Sequence, residues 1–172
     1  HSIKQGAKRH WIMDDNISAF YRLNKNLRVR VNSGTIFKLA EDFTDRYTNV
    51  AISGLQYRFF AADRSKTLPA FSLNARVYSC LLIKNDIKHR WRGRYNEDTD
   101  LCLRVLKDGF CTILFYAFLQ GKSASMHMSG GNTDELYAED GRLKMAKSLE
   151  QQHPDVAKTT WKYDRWHHIV DY

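Results

Sequence analysis

The stretch NEDTDLCLRVLKDGFCTILFYAFLQGK, residues 96–122, decides the fold class. Asn96 is a candidate N-cap, and Glu97–Lys107 has acids in its first turns, basic residues in its last and an apolar face, which predicts an amphipathic helix. Gly109 suits the position just beyond a helix end. The continuous apolar run at residues 111–119 predicts a strand buried on both faces. A helix that leads directly into a buried strand is typical of α/β layer proteins.

Strands and helices are also predicted on both sides of this unit. Strands are predicted over residues 9–13, 50–60 and 74–83 and in the tail at 161–172, and helices over residues 35–47, with Ser33 as cap, and 133–151. Loops are predicted over residues 61–70, 84–95 and 120–132. Gly54, inside a predicted strand, indicates a close approach of backbone or a bulge. Helices that lie between strands predict an α/β fold.

Composition indicates one globular domain over residues 1–172, with enough hydrophobic residues, 43%, to build a core. The net charge of +8 predicts a polyanionic partner such as DNA, with simple solubility as the alternative. Cys80, Cys102 and Cys111 have no close pairing and are predicted to be reduced core thiols of a cytoplasmic protein. No apolar run is long enough to cross a bilayer, so no membrane partner is predicted.

The stretch HWIMDDNI, residues 10–17, places Asp14, Asp15 and Asn16 at the end of a predicted buried strand. Adjacent carboxylates repel and are unfavourable to bury, so a positive partner is expected: an Arg or Lys, a helix N-terminus or a divalent metal. Oxygen ligands of this kind suit Mg²⁺ or Mn²⁺ shared with a substrate diphosphate. The simpler alternative is a turn in which these side chains cap nearby backbone amides.

A second acidic cluster, Glu97, Asp98 and Asp100, opens the predicted helix. Acids in a first helical turn are expected from the helix dipole alone. Three acids in four positions exceed what a cap requires, and a carboxylate placed there can act as general base on an acceptor hydroxyl. The cluster is therefore a candidate catalytic site.

Two further groups of residues are candidates for binding. His167 and His168 lie in the predicted tail strand, where neighbouring side chains face opposite ways, so one of them at most can face a metal site beside Asp14. A basic segment with an interleaved aromatic suits phosphate contacts and base stacking, although it is also typical of a solvated loop. Its candidate nucleic-acid-binding residues are Lys88, Arg90, Trp91, Arg92 and Arg94. The chain has no GxSxG, HExxH or CxxC motif.

The order of these clusters resembles that of the GT-A glycosyltransferases. WIMDDNI (residues 11–17), the segment at residues 94–122 and WHHIVDY (residues 166–172) together resemble the TET-associated glycosyltransferase family. That family is linked to phage DNA and acts on hydroxymethylated bases, and the base J glucosyltransferase is a relative. The similarity extends from His10 to Tyr172.

The resemblance implies an α/β, GT-A-like mixed sheet flanked by helices. It implies that Asp14, Asp15 and Asn16, with His167 or His168, bind Mn²⁺ or Mg²⁺ and a nucleotide-sugar, with a UDP-sugar such as UDP-glucose as the expected donor. It also matches Glu97 and Asp98 to the acidic pair that faces the acceptor. Asp98 is then the expected base, and Asp100 is the second choice.

The chain departs from the GT-A pattern in two ways. Asn16 stands where many of these enzymes have Asp, and a neutral amide is a weaker ligand for a hard cation. Only thirteen residues precede Asp14, and the first is His1 rather than Met. We therefore expect the domain to be incomplete at its N-terminus, with the nucleotide-binding portion upstream.

These inferences predict a metal-dependent glycosyltransferase that moves a sugar to 5-hydroxymethylcytosine or 5-hydroxymethyluracil in DNA, in the cytoplasm of a phage-infected cell. One alternative is a GT-A enzyme that acts on a saccharide or a protein. Another is a catalytically silent DNA-binding module of the same fold. A third alternative is a metal-dependent nuclease that uses Asp14, Asp15 and Glu97.

Overall fold

A computed structural model of the chain describes residues 2–61, 68–122 and 141–172. These residues form nine strands: β1 (Arg9–Met13), β2 (Ile17–Asn24), β3 (Leu27–Val31), β4 (Val50–Tyr57), β5 (Phe71–Leu73), β6 (Cys80–Lys84), β7 (Cys111–Lys122), β8 (Ala157–Lys162) and β9 (Arg165–Val170). The helices are α1 (Thr35–Thr44), α2 (Glu97–Lys107), α3 (Gly141–Gln152) and a 3₁₀ helix, Arg58–Ala61. The α/β fold class is confirmed.

Seven strands form a mixed sheet of order β1-β6-β4-β7-β2-β3, with β5 paired to β7. The β4–β7 pair is parallel and the other pairs are antiparallel. The carboxyl ends of β1, β4 and β7 therefore meet the amino ends of β2 and β6 along one edge, which we call the site edge. Strands β8 and β9 form a separate hairpin.

Helices cover both faces of the large sheet. Leu101, Cys102 and Val105 of α2 pack with Ile83 and Leu114, whereas Ile36 and Ala40 of α1 belong to a second cluster. Because β4 lies between these clusters, it is buried along its length to Gln56. A third cluster joins α2 to α3 and the β8–β9 hairpin, with Leu103, Leu149 and Ala157.

The close approach predicted at Gly54 is confirmed. A Cβ at Gly54 would lie 2.1 Å from the Cys80 carbonyl oxygen and 2.4 Å from Val77 Cγ1. Glycine thus allows the segment of residues 74–79 to lie directly against β4.

The predicted strand over residues 74–83 is wrong in its first half. Residues 74–79 form no strand, because Asn74 and Ser79 adopt left-handed backbone angles, with φ of +52° and +62°. Val77 is buried against Gly54 and α2 rather than in a ladder. The strand itself, β6, begins at Cys80.

Several predicted boundaries also differ from the structure. Helix α1 ends at Thr44, and its N-cap is Gly34 rather than Ser33. The predicted strand over residues 50–60 ends at Tyr57, and β7 runs on to Lys122. Residues 62–67 and 123–140, which include parts of two predicted loops and the start of a predicted helix, lie outside the described residues.

Two of the three thiols lie in the core, as predicted. Cys80 and Cys102 are buried free thiols, Cys111 is partly buried, and burial raises the pKa of the first two to about 12. Within the described ranges, no helix has the length and apolarity that a bilayer crossing requires.

Candidate active site

Asp14 follows the last residue of β1 and lies at the site edge beside Ser79. Its backbone N–H donates to the Ser79 carbonyl at 2.8 Å, and its carboxylate accepts from Lys122 Nζ at 2.5 Å. Lys122, at the end of β7, also donates to Ser79 Oγ at 3.0 Å. The strand-end acid therefore has a lysine as its positive partner.

Asp15 and Asn16 complete the turn into β2. The Asp15 side chain is exposed, and the Ile17 N–H closes the turn on the Asp14 carbonyl at 3.4 Å. Asn16 Oδ1 is buried and has no hydrogen-bond partner among the described residues. An unpaired buried oxygen is unfavourable, so this atom is available to a ligand that reaches it.

Residues 76–79 connect this turn to the start of α2. Gln120 Nε2 donates to the Tyr78 carbonyl at 2.9 Å, and Val77 N–H donates to Cys102 Sγ at 3.4 Å. Ser79, the residue bonded to both Asp14 and Lys122, has the left-handed φ of +62°. Non-glycine residues in such conformations are frequent at functional sites, where the surrounding structure holds them.

Asp98 lies half-buried in the first turn of α2 and accepts from the Thr99 N–H at 2.6 Å. Burial raises the pKa of its carboxyl group, and the charge of Glu97 adds to this, whereas the charge of Arg76 and the hydrogen bonds from Thr99 oppose it. A carboxylate whose pKa is raised toward neutrality is a better general base. Burial raises the pKa of the Tyr172 hydroxyl, and the charge of Asp98 adds to this.

The helix start differs in one detail from the prediction. Asn96 precedes α2, but it has a left-handed φ of +53° and its side chain makes no capping hydrogen bond. Instead, Asn96 Nδ2 donates to the Met145 carbonyl of α3 at 2.9 Å. The residue thus joins two helices, and Glu97, the next residue, is exposed.

Asp100, the second choice for the base, is fully buried and serves the fold. Arg92 and Arg104 form ion pairs with its two oxygens at 2.8 Å, and His153 Nε2 lies 2.8 Å from Oδ1. Burial acts to raise the pKa of Asp100, but these partners outweigh it and hold the pKa below its ordinary value. Since every oxygen is occupied, this carboxylate has no open position for a substrate.

The two tail histidines lie on β9 and have different surroundings. His167 Nε2 accepts from Arg165 Nε at 3.0 Å, and its ring contacts Tyr163. Burial, with the charges of Arg76 and His167, lowers the pKa of His168 to about 4, so His168 is neutral at neutral pH. Because Arg76 also acts on Asp98, His168 belongs on the Asp98 side of the site.

Residues 14–16 offer oxygens of the type that divalent cations bind, although the described residues do not gather them into a metal-binding cluster. Asp14 already binds a cationic group, Asp15 is exposed, and the Asn16 oxygen is unpaired. Among residues 2–61, 68–122 and 141–172, no three His, Cys, Asp or Glu side chains are close enough to hold a metal. Two carboxylates and an amide would leave further positions to a diphosphate and water, as Mg²⁺ and Mn²⁺ sites commonly do.

The candidate nucleic-acid-binding segment is largely engaged within the chain. Arg92 pairs with Asp100, Arg90 donates to the Ile87 carbonyl at 2.5 Å, and Lys88 pairs with Asp108 at 3.1 Å. Lys88 and Trp91 are exposed, as are Arg92 and Arg94. The binding role stays a prediction, but the contacts of Arg92 give that residue a structural role as well.

Sequence reasoning did not identify Lys122, Arg76 or Tyr78. Lys122 lies in the predicted loop over residues 120–132, whereas in the structure it ends β7 beside the Asp14 turn, so no sequence signal indicated its role. Arg76 lies 4.5 Å from the Tyr78 ring centroid and influences both Asp98 and His168. Because a strand was predicted over residues 74–83, the sequence did not indicate that Arg76 lies near these two residues.

The fold and site define an α/β protein with an acidic turn after strand β1 and a second acidic cluster in the first turn of α2. The family model described as TET-Associated Glycosyltransferase matches residues 1–131, and the chain belongs to this family. The resemblance to this family is confirmed over residues 1–131, which do not include the tail stretch WHHIVDY, and the class of the protein is that of the glycosyltransferases. No curated protein and no solved structure shows significant similarity to it.

Proposed function

We propose that this chain is a metal-dependent enzyme that transfers a sugar from a nucleotide-sugar to a hydroxymethylated base in DNA. The observation that carries the proposal is the placement of Asp14 and Asp98. Residues 76–79 contact both the turn of Asp14 and the first turns of α2. The family membership supplies the reaction class.

Asp98 is the proposed general base. Its raised pKa suits a carboxylate that accepts the proton of the acceptor hydroxymethyl group as its oxygen attacks the sugar. Glu97, the neighbouring residue, is exposed to solvent and lacks the partly buried surroundings of Asp98. Asp100 is excluded from this role by its ion pairs.

Asp14, Asp15 and Asn16 are the proposed holders of Mn²⁺ or Mg²⁺. When bound, the ion would neutralise the negative charge of the departing diphosphate. Lys122 supplies a further positive charge at the same place. His168 is preferred over His167 as the site histidine, because the charge of Arg76 acts on both His168 and Asp98.

The donor is expected to be a UDP-sugar and the acceptor a base that has left the DNA stack. The net charge of +8 supports a polyanionic acceptor over a saccharide or a protein.

The test uses DNA that contains 5-hydroxymethylcytosine or 5-hydroxymethyluracil, incubated with the protein, Mn²⁺ and a panel of nucleotide-sugars. The DNA is then digested and the nucleosides are weighed. A hexose-sized mass gain on the modified base, absent with unmodified DNA and with Asp98→Asn, is the expected result. A mass gain that persists in Asp98→Asn would contradict the role of Asp98 as general base. No mass gain on either modified DNA would contradict the proposal that DNA is the acceptor.

A further inference from the structure

A basic pocket opens at the site edge on the side of the β2–β3 hairpin. It has a volume of about 240 Å³ and is lined by Ser18, Arg28, Tyr57, Arg58, Phe59, Gly121 and Lys122. Three of these residues are cationic and none is acidic. The pocket adjoins the Asp14 turn because Lys122 belongs to both.

Two of the cations keep their charge available to a ligand. Arg58 lies over the Tyr21 ring at 4.8 Å and donates to Tyr21 Oη at 3.0 Å. Arg28 donates weakly to the Arg58 carbonyl at 3.5 Å. Within the described ranges neither guanidinium pairs with a carboxylate, so both retain the full positive charge that a phosphate requires.

Aromatic rings stand beside these cations and face solvent. Phe59 is 70% exposed and Phe60 is 58% exposed, and the two rings contact each other and Tyr57 at centroid distances of 5.7–6.2 Å. Large apolar side chains are seldom left so exposed without a partner, and a clustered pair indicates a contact surface. Aromatic faces beside arginines are the usual platform for unstacked bases.

We propose that this basic–aromatic pocket binds the acceptor strand, with a backbone phosphate at Arg28 and Arg58 and an unpaired base stacked on Phe59. The inference rests on the proposed DNA acceptor and assigns its contact surface. Charge complementarity and the open, exposed rings favour a nucleic-acid strand over the compact nucleotide-sugar. The strand would then pass Lys122 on its way to the carboxylate of Asp98.

The test measures binding of the protein to a fluorescent single-stranded oligonucleotide with a hydroxymethylated base, over a series of salt concentrations. Arg28→Ala should weaken binding about fivefold and lower the slope of log K against log salt by about 0.7 to 1, because one phosphate contact is lost. Arg46→Ala, an exposed arginine just after α1, is the matched control and should change neither quantity.

The stacking role is tested at Phe59, whose exposure makes a folding defect unexpected. Phe59→Leu should weaken binding at least about fivefold without changing the salt slope, whereas Phe59→Trp should retain binding, since any aromatic face serves. Thermal melting verifies that each variant is folded. A leucine variant that binds like the parent protein would overturn the stacking role.

Donor affinity, measured as the KM for the nucleotide-sugar, should not change in Arg28→Ala or in Phe59→Leu. A rise in that KM with unchanged DNA binding would assign the pocket to the donor and overturn the proposal. If the parent protein transfers sugar to DNA but the variants bind DNA normally, the pocket inference fails alone. If the parent protein neither binds nor modifies DNA, both the proposed function and the pocket inference are contradicted.

Discussion

Lys122 Nζ lies 2.5 Å from the Asp14 carboxylate, although the two residues are 108 positions apart in the chain. The contact forms because β1 and β7 both end at the site edge. It supplies the positive partner that two adjacent strand-end acids require. It also means that a divalent cation at Asp14 must share this carboxylate with a lysine or displace it.

Replacement of Lys122 should strengthen metal binding. In Lys122→Met the Asp14 carboxylate loses its ammonium partner and its full charge is open to Mn²⁺, so we expect the affinity for Mn²⁺ to increase about tenfold. The measurement is a titration of Mn²⁺ binding by calorimetry. Lys38→Met, which removes an exposed lysine paired with Asp42, should leave the affinity unchanged. Weaker Mn²⁺ binding in Lys122→Met would show that Lys122 supports the ion instead.

Asp98→Asn should abolish sugar transfer. The rise of kcat/KM on the acid side of the pH profile should be lost with it. A general base contributes about a hundredfold to ten-thousandfold in rate, and an amide cannot accept the proton. In the parent enzyme kcat/KM should increase with pH as the carboxyl group deprotonates, and this increase should lie above the ordinary range of an aspartate because burial raises the pKa of Asp98. The pH profile of transfer is the measurement. A parent profile that is flat down to pH 4 would contradict the assignment.

The same substitution should stabilise the protein at neutral pH. The folded state raises the pKa of Asp98 above the value of 3.8 expected in the unfolded chain, so folding favours the protonated form and stability falls as pH rises through the folded-state pKa. Asparagine does not ionise, and Asp98→Asn should therefore melt at a higher temperature than the parent at pH 7. The difference should shrink toward pH 4. A lower melting temperature at pH 7 would mean that the charge stabilises the fold.

Asp100→Asn should destabilise the protein strongly. The buried carboxylate pairs with Arg104, whose side chain is 14% exposed, and with the half-exposed Arg92. Its loss leaves the largely buried guanidinium of Arg104 without a carboxylate, at about 3–5 kcal/mol in the free energy of unfolding. Because the pKa of Asp100 is lowered in the folded state, its contribution is present above pH 3.8 and is lost as pH falls through the folded-state pKa. Urea denaturation measures both effects.

The control for this prediction is Asp42→Asn. Asp42 pairs with Lys38 on the surface of α1, with both side chains more than half exposed. Such pairs contribute about 0.5 kcal/mol or less. Equal losses in the two variants would contradict the view that Asp100 is an essential part of the fold.

The elements that the sequence predicts well are those with strong local signals. Helix α2 combines first-turn acids, last-turn bases and Gly109 with a φ of +83°, and β7 is a long apolar run. The β2–β3 hairpin was not predicted, because its turn uses Lys25 and Asn26 at positive φ rather than the Asn-Gly or Asp-Gly pair that signals such turns.

The candidate site is less accessible to sequence reasoning than the fold. Asp14 and Asp98 can be recognised in the sequence because one follows a predicted strand and the other opens a predicted helix. The ion pairs of Asp100 cannot be recognised, because their partners Arg92, Arg104 and His153 meet only in the folded chain. Three acids in one helical turn look equivalent in the sequence. Their partners separate them: burial raises the pKa of Asp98, whereas Arg92, Arg104 and His153 hold the pKa of the buried Asp100 low.

Gly54→Ala tests whether the packing of residues 76–79 against β4 positions the site. The new Cβ would lie 2.1 Å from the Cys80 carbonyl and 2.4 Å from Val77, so the segment must shift. Overpacking of this kind destabilises proteins by about 1–3 kcal/mol. Because the same segment carries Ser79 and Tyr78, transfer should fall more than stability predicts. Gly34→Ala, where a Cβ meets nothing within 4 Å, is the control, and normal transfer by Gly54→Ala would show that the segment does not position the reaction.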